Sequence, residues 1–225
     1  MIKFSKIWDI LITKFPVFME GVGVTLQLAF FTVLFGSLLG LIVAVFRRTQ
    51  FFPLRWIMNA YVAFIRGTPL LVQVLLIVYG LPQMGIRLPR MTMCVLALVI
   101  NSGAYMAELI RSGLQSVERG QVEAAGSLGM SNAQTMLYII LPQAIKVTLP
   151  AMGNEFVAII KESSILYAVG VYELTYQAYK LASINYYYIE TLIVAAMVYF
   201  VLTYAATGLL KILERRMRRG DNKAV

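Results

Sequence analysis

The chain has 225 residues, of which 60% are apolar and only 14% are charged. Soluble domains carry about 25% charged residues, so this composition indicates a membrane protein with roughly five or six helical spans. A net charge of +9 suggests nucleic acid in a soluble protein, but the basic residues here cluster at the ends of apolar runs, as membrane topology requires. We therefore expect the lipid bilayer, and no nucleic acid, as a partner.

The sequence contains no histidine and one cysteine, Cys94, which lies within an apolar run. These counts exclude imidazole acid–base chemistry, the common zinc sites and an internal disulfide framework. No acid pair or nucleophile elbow points to an intramembrane enzyme. We predict a chain without catalytic residues, metal ligands or a bound cofactor.

The N-terminal residues 1–15 alternate apolar and charged side chains, a pattern that predicts an amphipathic helix lying in the membrane interface. The transmembrane domain is predicted over residues 16–213. Its first span runs from about Pro16 to Phe46, and two arginines end it sharply.

The second apolar segment, from about Leu54 to Gly80, is interrupted by Arg66-Gly67-Thr68-Pro69. Proline disfavours helical geometry at the residue before it, and glycine weakens a helix further. We therefore predict a broken or kinked second span. The third span is predicted from about Met91 to Leu109.

Residues 112–135 form the most polar stretch inside the chain and predict an excursion out of the membrane. Within this stretch, Gln121 to Leu128 favours a short helix, and Gly129 is a natural terminator of it. From the residues alone, this is either an ordinary loop helix or a helix that docks into a groove on a partner protein.

The fourth crossing is predicted from about Leu149 to Ser163, after apolar sequence that Pro142 and Pro150 interrupt. Residues 162–187 are rich in tyrosine, which suits a helix at the membrane surface.

The last span is predicted from about Ile189 to Leu210, and a basic tail over residues 214–225 follows it. Most Lys and Arg residues outside the spans share a side with this tail, which predicts a cytoplasmic C-terminus and an outside N-terminus. The polar stretch 112–135 is then cytoplasmic.

Five polar side chains fall at membrane depth, where such groups are costly and usually face a cavity or a partner. The candidates for the substrate path are Arg66, Asn101, Glu108, Glu155 and Glu162. Asn101 and Glu108 are seven residues apart, as are Glu155 and Glu162, so each pair shares a helix face. The alternative is structural, with Arg66 neutralising Glu108 or Glu155, and with Lys161 pairing with Glu162 at the outer interface.

The polar stretch carries a specific resemblance. The run Glu123-Ala124-Ala125-Gly126-Ser127-Leu128-Gly129, followed by Leu141-Pro142-Gln143-Ala144, resembles the cytoplasmic EAA loop of type I ATP-binding-cassette (ABC) importer permeases. Upstream, Arg66-Gly67-Thr68-Pro69-Leu70-Leu71-Val72-Gln73 resembles the second-span signature of the polar amino-acid uptake branch of that family.

The resemblance implies an all-α type I ABC importer transmembrane fold with about five spans and a short coupling helix. It implies a second permease subunit, an extracytoplasmic binding protein and a cytoplasmic ABC ATPase dimer, in a bacterial inner membrane. The ATPase-coupling residues it implies are Glu123, Ala124, Ala125, Gly126, Leu128 and Gly129. Because the chain has no Walker A motif, ATP and Mg belong to the partner ATPase.

The substrate implied is a polar amino acid. Acidic groups along the path favour a basic one, although glutamine, glutamate and cystine stay open, as does the choice between a homodimer and a heterodimer of permeases. The alternative function is an ion-coupled secondary transporter or a channel. It explains the charges within the membrane, but it explains neither the EAA helix nor five spans without an inverted repeat.

Overall fold

Helices make up all the regular secondary structure of residues 3–218, the part of the chain that the computed structural model describes; side chains are described as far as Arg215. The α-helices are α1 (Phe4–Thr13), α2 (Phe15–Phe46), α3 (Phe52–Gly67), α4 (Leu70–Gln83), α5 (Arg90–Gln115), α6 (Arg119–Ser127), α7 (Asn132–Thr135), α8 (Leu141–Glu162), α9 (Leu174–Asn185) and α10 (Tyr188–Arg218). A π-helical turn (Met136–Ile140) precedes α8, and a 3₁₀ helix (Ser163–Val169) follows it.

Four of these helical segments are long and apolar enough to cross a membrane. They are Phe15–Phe46, Arg90–Gln115, Asn132–Val169 and Tyr188–Arg215. The pair α3 and α4 bends by 109° at its break and brings the number of candidate spans to five when the two helices are counted as one broken span. The predicted all-α fold with about five spans is therefore confirmed, and so is the broken second span.

The most extensive helix packing joins α2 to α5. Gly40 lets the two helices approach closely, because a Cβ added there would lie 2.9 Å from the Ala107 backbone nitrogen and closer still to the Met106 Cβ. Small residues serve this purpose in lipid, where helices associate through tight packing and not through a hydrophobic driving force.

We expect Gly40→Ala to destabilise the protein by about 1–3 kcal/mol, because overpacking at this contact forces a backbone shift. The matched control is Gly23→Ala on the same helix, since no atom lies within 4 Å of an added Cβ at Gly23. Thermal unfolding of the purified protein in detergent should show a lower midpoint for Gly40→Ala alone. Equal midpoints for the two variants would contradict the close approach.

The fourth crossing differs from its prediction. Asn132–Val169 is one continuous helical segment, and α8 runs through Pro150 without interruption. Pro142 follows directly on the π-helical turn Met136–Ile140, where the regular α-helical bonding is already interrupted, and membrane helices tolerate an internal proline when neighbouring groups satisfy the freed carbonyl. Reading both prolines as interruptions was wrong for this reason.

The third span is also longer than predicted, since α5 continues to Gln115 and not to Leu109. The extra turns are held by side-chain contacts: Arg111 Nη1 donates to Gln115 Oε1 at 2.6 Å, and Arg111 also pairs with Glu108. The first residues of the predicted polar stretch 112–135 are therefore helical.

At the N-terminus, the Lys3 backbone nitrogen donates to Glu190 Oε1 at 3.0 Å, which joins the start of α1 to the start of α10. The predicted interfacial position of residues 1–15 stays a prediction. In the predicted basic tail, α10 extends to Arg218, and residues 219–225 lie outside the described part of the chain.

Candidate functional site: an exposed coupling helix and a polar cavity

Helix α6 lies in the connection between α5 and α8, and nearly all of its residues are exposed. The predicted coupling residues lie in this helix and directly after it. Ala125 is buried and faces the rest of the protein, whereas Glu123, Ala124, Gly126 and Leu128 are exposed. Leu128 is 83% exposed, so a large apolar side chain points away from the chain. Single exposed apolar residues are common on protein surfaces, so the role of α6 in binding a partner stays a prediction.

The end of α6 is fixed by Gly129, whose φ of +80° lies in the left-handed region that favours glycine. The Met130 N–H donates to the Ala125 carbonyl at 3.1 Å, and the Gly129 N–H donates to the Gly126 carbonyl at 3.0 Å. These bonds satisfy carbonyls that the end of the helix leaves free and turn the chain sharply. The prediction that Gly129 ends this helix is confirmed.

One side-chain hydrogen bond joins α6 to α8, and a capping box starts the helical segment that leads from α6 into α8. Gln143 Nε2 donates to Gln121 Oε1 at 2.6 Å. Ser131 and Gln134 form a capping box, in which Ser131 N donates to Gln134 Oε1 at 2.8 Å and Gln134 N donates to Ser131 Oγ at 3.3 Å. Helix α6 is therefore joined to a candidate membrane-spanning helix through Gln121 and Gln143.

A cavity of about 600 Å³ lies among the spans. Its walls come from the α3–α4 break, α5, the segment after α8, α9 and α10, with lining residues that include Thr68, Asn101, Tyr105, Glu162 and Tyr199. Glu162 is the charged residue among the described residues that line it. The cavity wall is thus mainly apolar and aromatic, with several hydroxyl groups, one amide and one carboxylate among its lining residues.

Gln73 holds the break between α3 and α4 beside this cavity. Its Nε2 donates to the Ile65 carbonyl and to Thr68 Oγ1, both at 2.8 Å, and its Oε1 accepts from Asn101 Nδ2 at 2.9 Å. Backbone carbonyls freed by a helix break need such partners in a membrane. Sequence analysis did not select Gln73 as a site residue, although an amide four positions after Pro69 in an apolar run was a usable signal.

Glu155 lies near the cavity but is not one of its lining residues. Ser102 Oγ is 3.5 Å from Glu155 Oε1, a long contact that joins α5 to α8. Glu155 and Glu162 are therefore carboxylates of one helix on the side that meets α5 and the cavity, as their spacing predicts.

Arg66 and Glu108 occupy a different place. Glu108 accepts from Arg47 Nη1 at 2.9 Å, pairs with Arg111 through both Nε and Nη2, and lies 4.0 Å from Arg66 Nη1. Arg66 also lies over the Tyr105 ring, 5.5 Å from its centroid. Neither residue lines the cavity, so the geometry favours the structural alternative, although the close partners of Glu108 are Arg47 and Arg111 and Arg66 lies only at the edge of this group.

Four or five candidate spans, an exposed helix between two of them and a cavity among the spans fit a subunit of a membrane transporter. The family model described as binding-protein-dependent transport system inner membrane component matches residues 36–219. This chain belongs to that family, and it is the membrane-spanning permease subunit of an ABC importer. The secondary transporter and channel alternatives are therefore not supported.

Individual relatives are similar over nearly their whole length. The probable glutamine ABC transporter permease protein GlnM of Bacillus subtilis is 44% identical over 94% of this chain and 98% of its own. The arginine transport system permease protein ArtQ of the same organism is 35% identical over 93% and 96%. A crystal structure of an amino acid ABC transporter with histidines is 45% identical, with a TM-score of 0.90 over 96% of this chain and 99% of that one.

Proposed function

We propose that this chain forms the translocation path for a basic amino acid and couples it to a cytoplasmic ABC ATPase dimer. The observation that carries the substrate class is the cavity, where Glu162 is the charged member of the described lining and no lysine or arginine is present. Glu155 adds a second carboxylate close by. A cationic side chain is attracted to such a site, and an anionic one is repelled.

The names of the relatives support an amino acid as the substrate, but they do not distinguish a neutral amino acid from a basic one. One relative is named for glutamine and another for arginine, and the solved structure contains histidines. Asn101 supplies an uncharged polar group to the same cavity, held by Gln73. We assign the cation preference to Glu162 and Glu155, and the binding of the common amino-acid backbone to Asn101 and its neighbours.

The partners follow from the same family. A second permease, identical or similar, completes the path, and a binding protein delivers substrate on the outer side. The coupling residues, Glu123, Ala124, Ala125, Gly126, Leu128 and Gly129, contact the ATPase, which binds ATP and Mg. The excess of Lys and Arg on the side of α6 and the C-terminus supports a cytoplasmic position for both and an outside N-terminus in the bacterial inner membrane.

We expect Glu162→Gln to weaken the uptake of a basic amino acid by about tenfold in KM, because one carboxylate–cation contact is lost in a partly dehydrated site. Glutamine uptake, if present, should change little. The measurement is tracer uptake by proteoliposomes that contain the complete transporter and its binding protein.

The control is Glu20→Gln, which removes an exposed carboxylate outside the described cavity. Competition by unlabelled arginine, lysine, histidine and glutamine gives the substrate class of the unaltered transporter. Inhibition by glutamine without inhibition by arginine would end the basic-substrate proposal and leave the amino-acid permease unchanged.

A further inference from the structure

A second cavity, which we call the arginine pocket, lies at the end of the molecule that carries α6. It has a volume of about 370 Å³ and is lined by Ala44, Arg47, Arg48, Asn59, Arg111, Leu114 and Gln115. Among the described lining residues there are three arginines and no carboxylate. The charge of this pocket is thus opposite to that of the substrate cavity, whose described lining has one carboxylate and no arginine or lysine.

Two of the arginines are held in place from outside the pocket. Glu108, which does not line it, accepts from Arg47 at 2.9 Å and pairs with Arg111. Two side-chain amides of the pocket also hold these arginines. Arg47 Nε donates to Asn59 Oδ1 at 2.8 Å, and Arg111 Nη1 donates to Gln115 Oε1. Each guanidinium carries five N–H donors, so both retain N–H groups beyond those used here.

The third arginine, Arg48, adds a positive charge that no described carboxylate neutralises. Arg48 is exposed and forms no ion pair with any described residue. Glu108 neutralises about one of the surrounding cations, so the pocket keeps a positive surplus. A preorganised group of guanidinium forks matches the geometry of a phosphate.

The pocket lies where the apolar surface of the protein ends. Leu41 and Val45, on the last turns of α2 before Arg47, are exposed, as a lipid-facing helix requires. Phe52 and Trp56 are exposed at the start of α3, and aromatic side chains are enriched at the level of the lipid headgroups. A ligand with a phosphate and acyl chains fits both surfaces at once.

We propose that the arginine pocket binds the phosphate of an anionic phospholipid in the leaflet on the side of α6, with its acyl chains along Leu41 and Val45. Basic pockets between spans are suited to anionic headgroups. Arg111 and Gln115 form the last turn of α5, directly before α6, so the bound lipid rigidifies the base of the coupling helix. Under the proposed orientation, this is the cytoplasmic leaflet.

The test compares phosphatidylglycerol with phosphatidylcholine as ligands of the purified intact transporter, using native mass spectrometry during a lipid titration. We expect preferential binding of phosphatidylglycerol, with roughly fivefold weaker binding in Arg48→Gln, the change expected for one basic residue near an anionic lipid. Arg48→Lys should keep most of the binding, since the charge remains. These variants leave the Glu108 ion pairs untouched.

The matched control is Arg87→Gln, which removes an exposed arginine in the connection between α4 and α5, at the opposite end of α5. Equal weakening in Arg87→Gln and Arg48→Gln, or no preference for phosphatidylglycerol, would overturn the proposal. Competition by free glycerol phosphate at the concentration of the lipid would show a soluble phosphate as the occupant and would also overturn it. None of these outcomes depends on the substrate that the transporter carries.

Discussion

Gly129→Asp is expected to lower ATP-driven uptake by about tenfold or more, the largest functional loss among the single substitutions considered for α6. At a φ of +80° aspartate is less favourable than glycine, although by less than the ~1–2 kcal/mol of most residues, and its charge lies at the C-terminal end of the α6 dipole, which disfavours it; the chain relieves both costs by changing the turn after α6. The bond from Met130 N to the Ala125 carbonyl then weakens, and Leu128 moves with it. A helix that is misplaced at its end cannot dock as the coupling proposal requires.

The comparison that isolates this effect is Gly120→Asp. Gly120 lies in the first turn of the same helix, has no atom within 4 Å of an added Cβ and has no positive φ. Gly120→Asp adds the same negative charge at the N-terminal end of α6, where the helix dipole favours a negative charge. Purified complexes of both variants should be assayed for uptake and for substrate-stimulated ATPase activity. Normal stimulation in the Gly129→Asp complex would refute the coupling role.

The second large effect is on stability. Glu108→Ala leaves Arg47, Arg66 and Arg111 without their shared carboxylate at the ends of α2, α3 and α5. Loss of one partner of a buried ion pair costs about 3–5 kcal/mol, and we expect about 2 kcal/mol here because the Glu108 side chain is 23% exposed. Thermal inactivation of the purified complex should occur at a clearly lower temperature.

Glu118→Ala is the control for Glu108→Ala, since Glu118 is exposed and has no ion pair with a described residue. Uptake per folded complex should be nearly unchanged in both variants. If Glu108→Ala keeps full thermal stability but loses the uptake of basic amino acids, Glu108 belongs to the substrate path and the structural assignment is wrong.

Local backbone chemistry was predictable from the sequence. The break at Gly67–Pro69 and the terminator Gly129 both follow from the allowed φ and ψ of glycine and proline, which hardly depend on the rest of the fold. The short α6 was predictable for the same reason. Pro150 was not, because a proline within a membrane helix is tolerated or disruptive according to neighbours that are distant in sequence.

The partners of the charged residues were the least predictable part. Glu108 is approached by arginines from three helices, and spacing along α5 reveals only Arg111. The cavity likewise takes Thr175 and Tyr199 from the last third of the chain. Helical spacing correctly put Asn101 on a polar face, but whether this face meets a cavity or an ion pair depends on helix packing.

The bend between α3 and α4 has an electrical consequence. Thr68 and Leu70, which flank the first turn of α4, line the substrate cavity, and the start of a helix carries about half a positive charge. Gln73 occupies the carbonyls at the end of α3, so the opposing negative pole is partly compensated. We expect the start of α4 to make its side of the cavity positive relative to Glu162, so that a zwitterionic amino acid binds there in one preferred orientation.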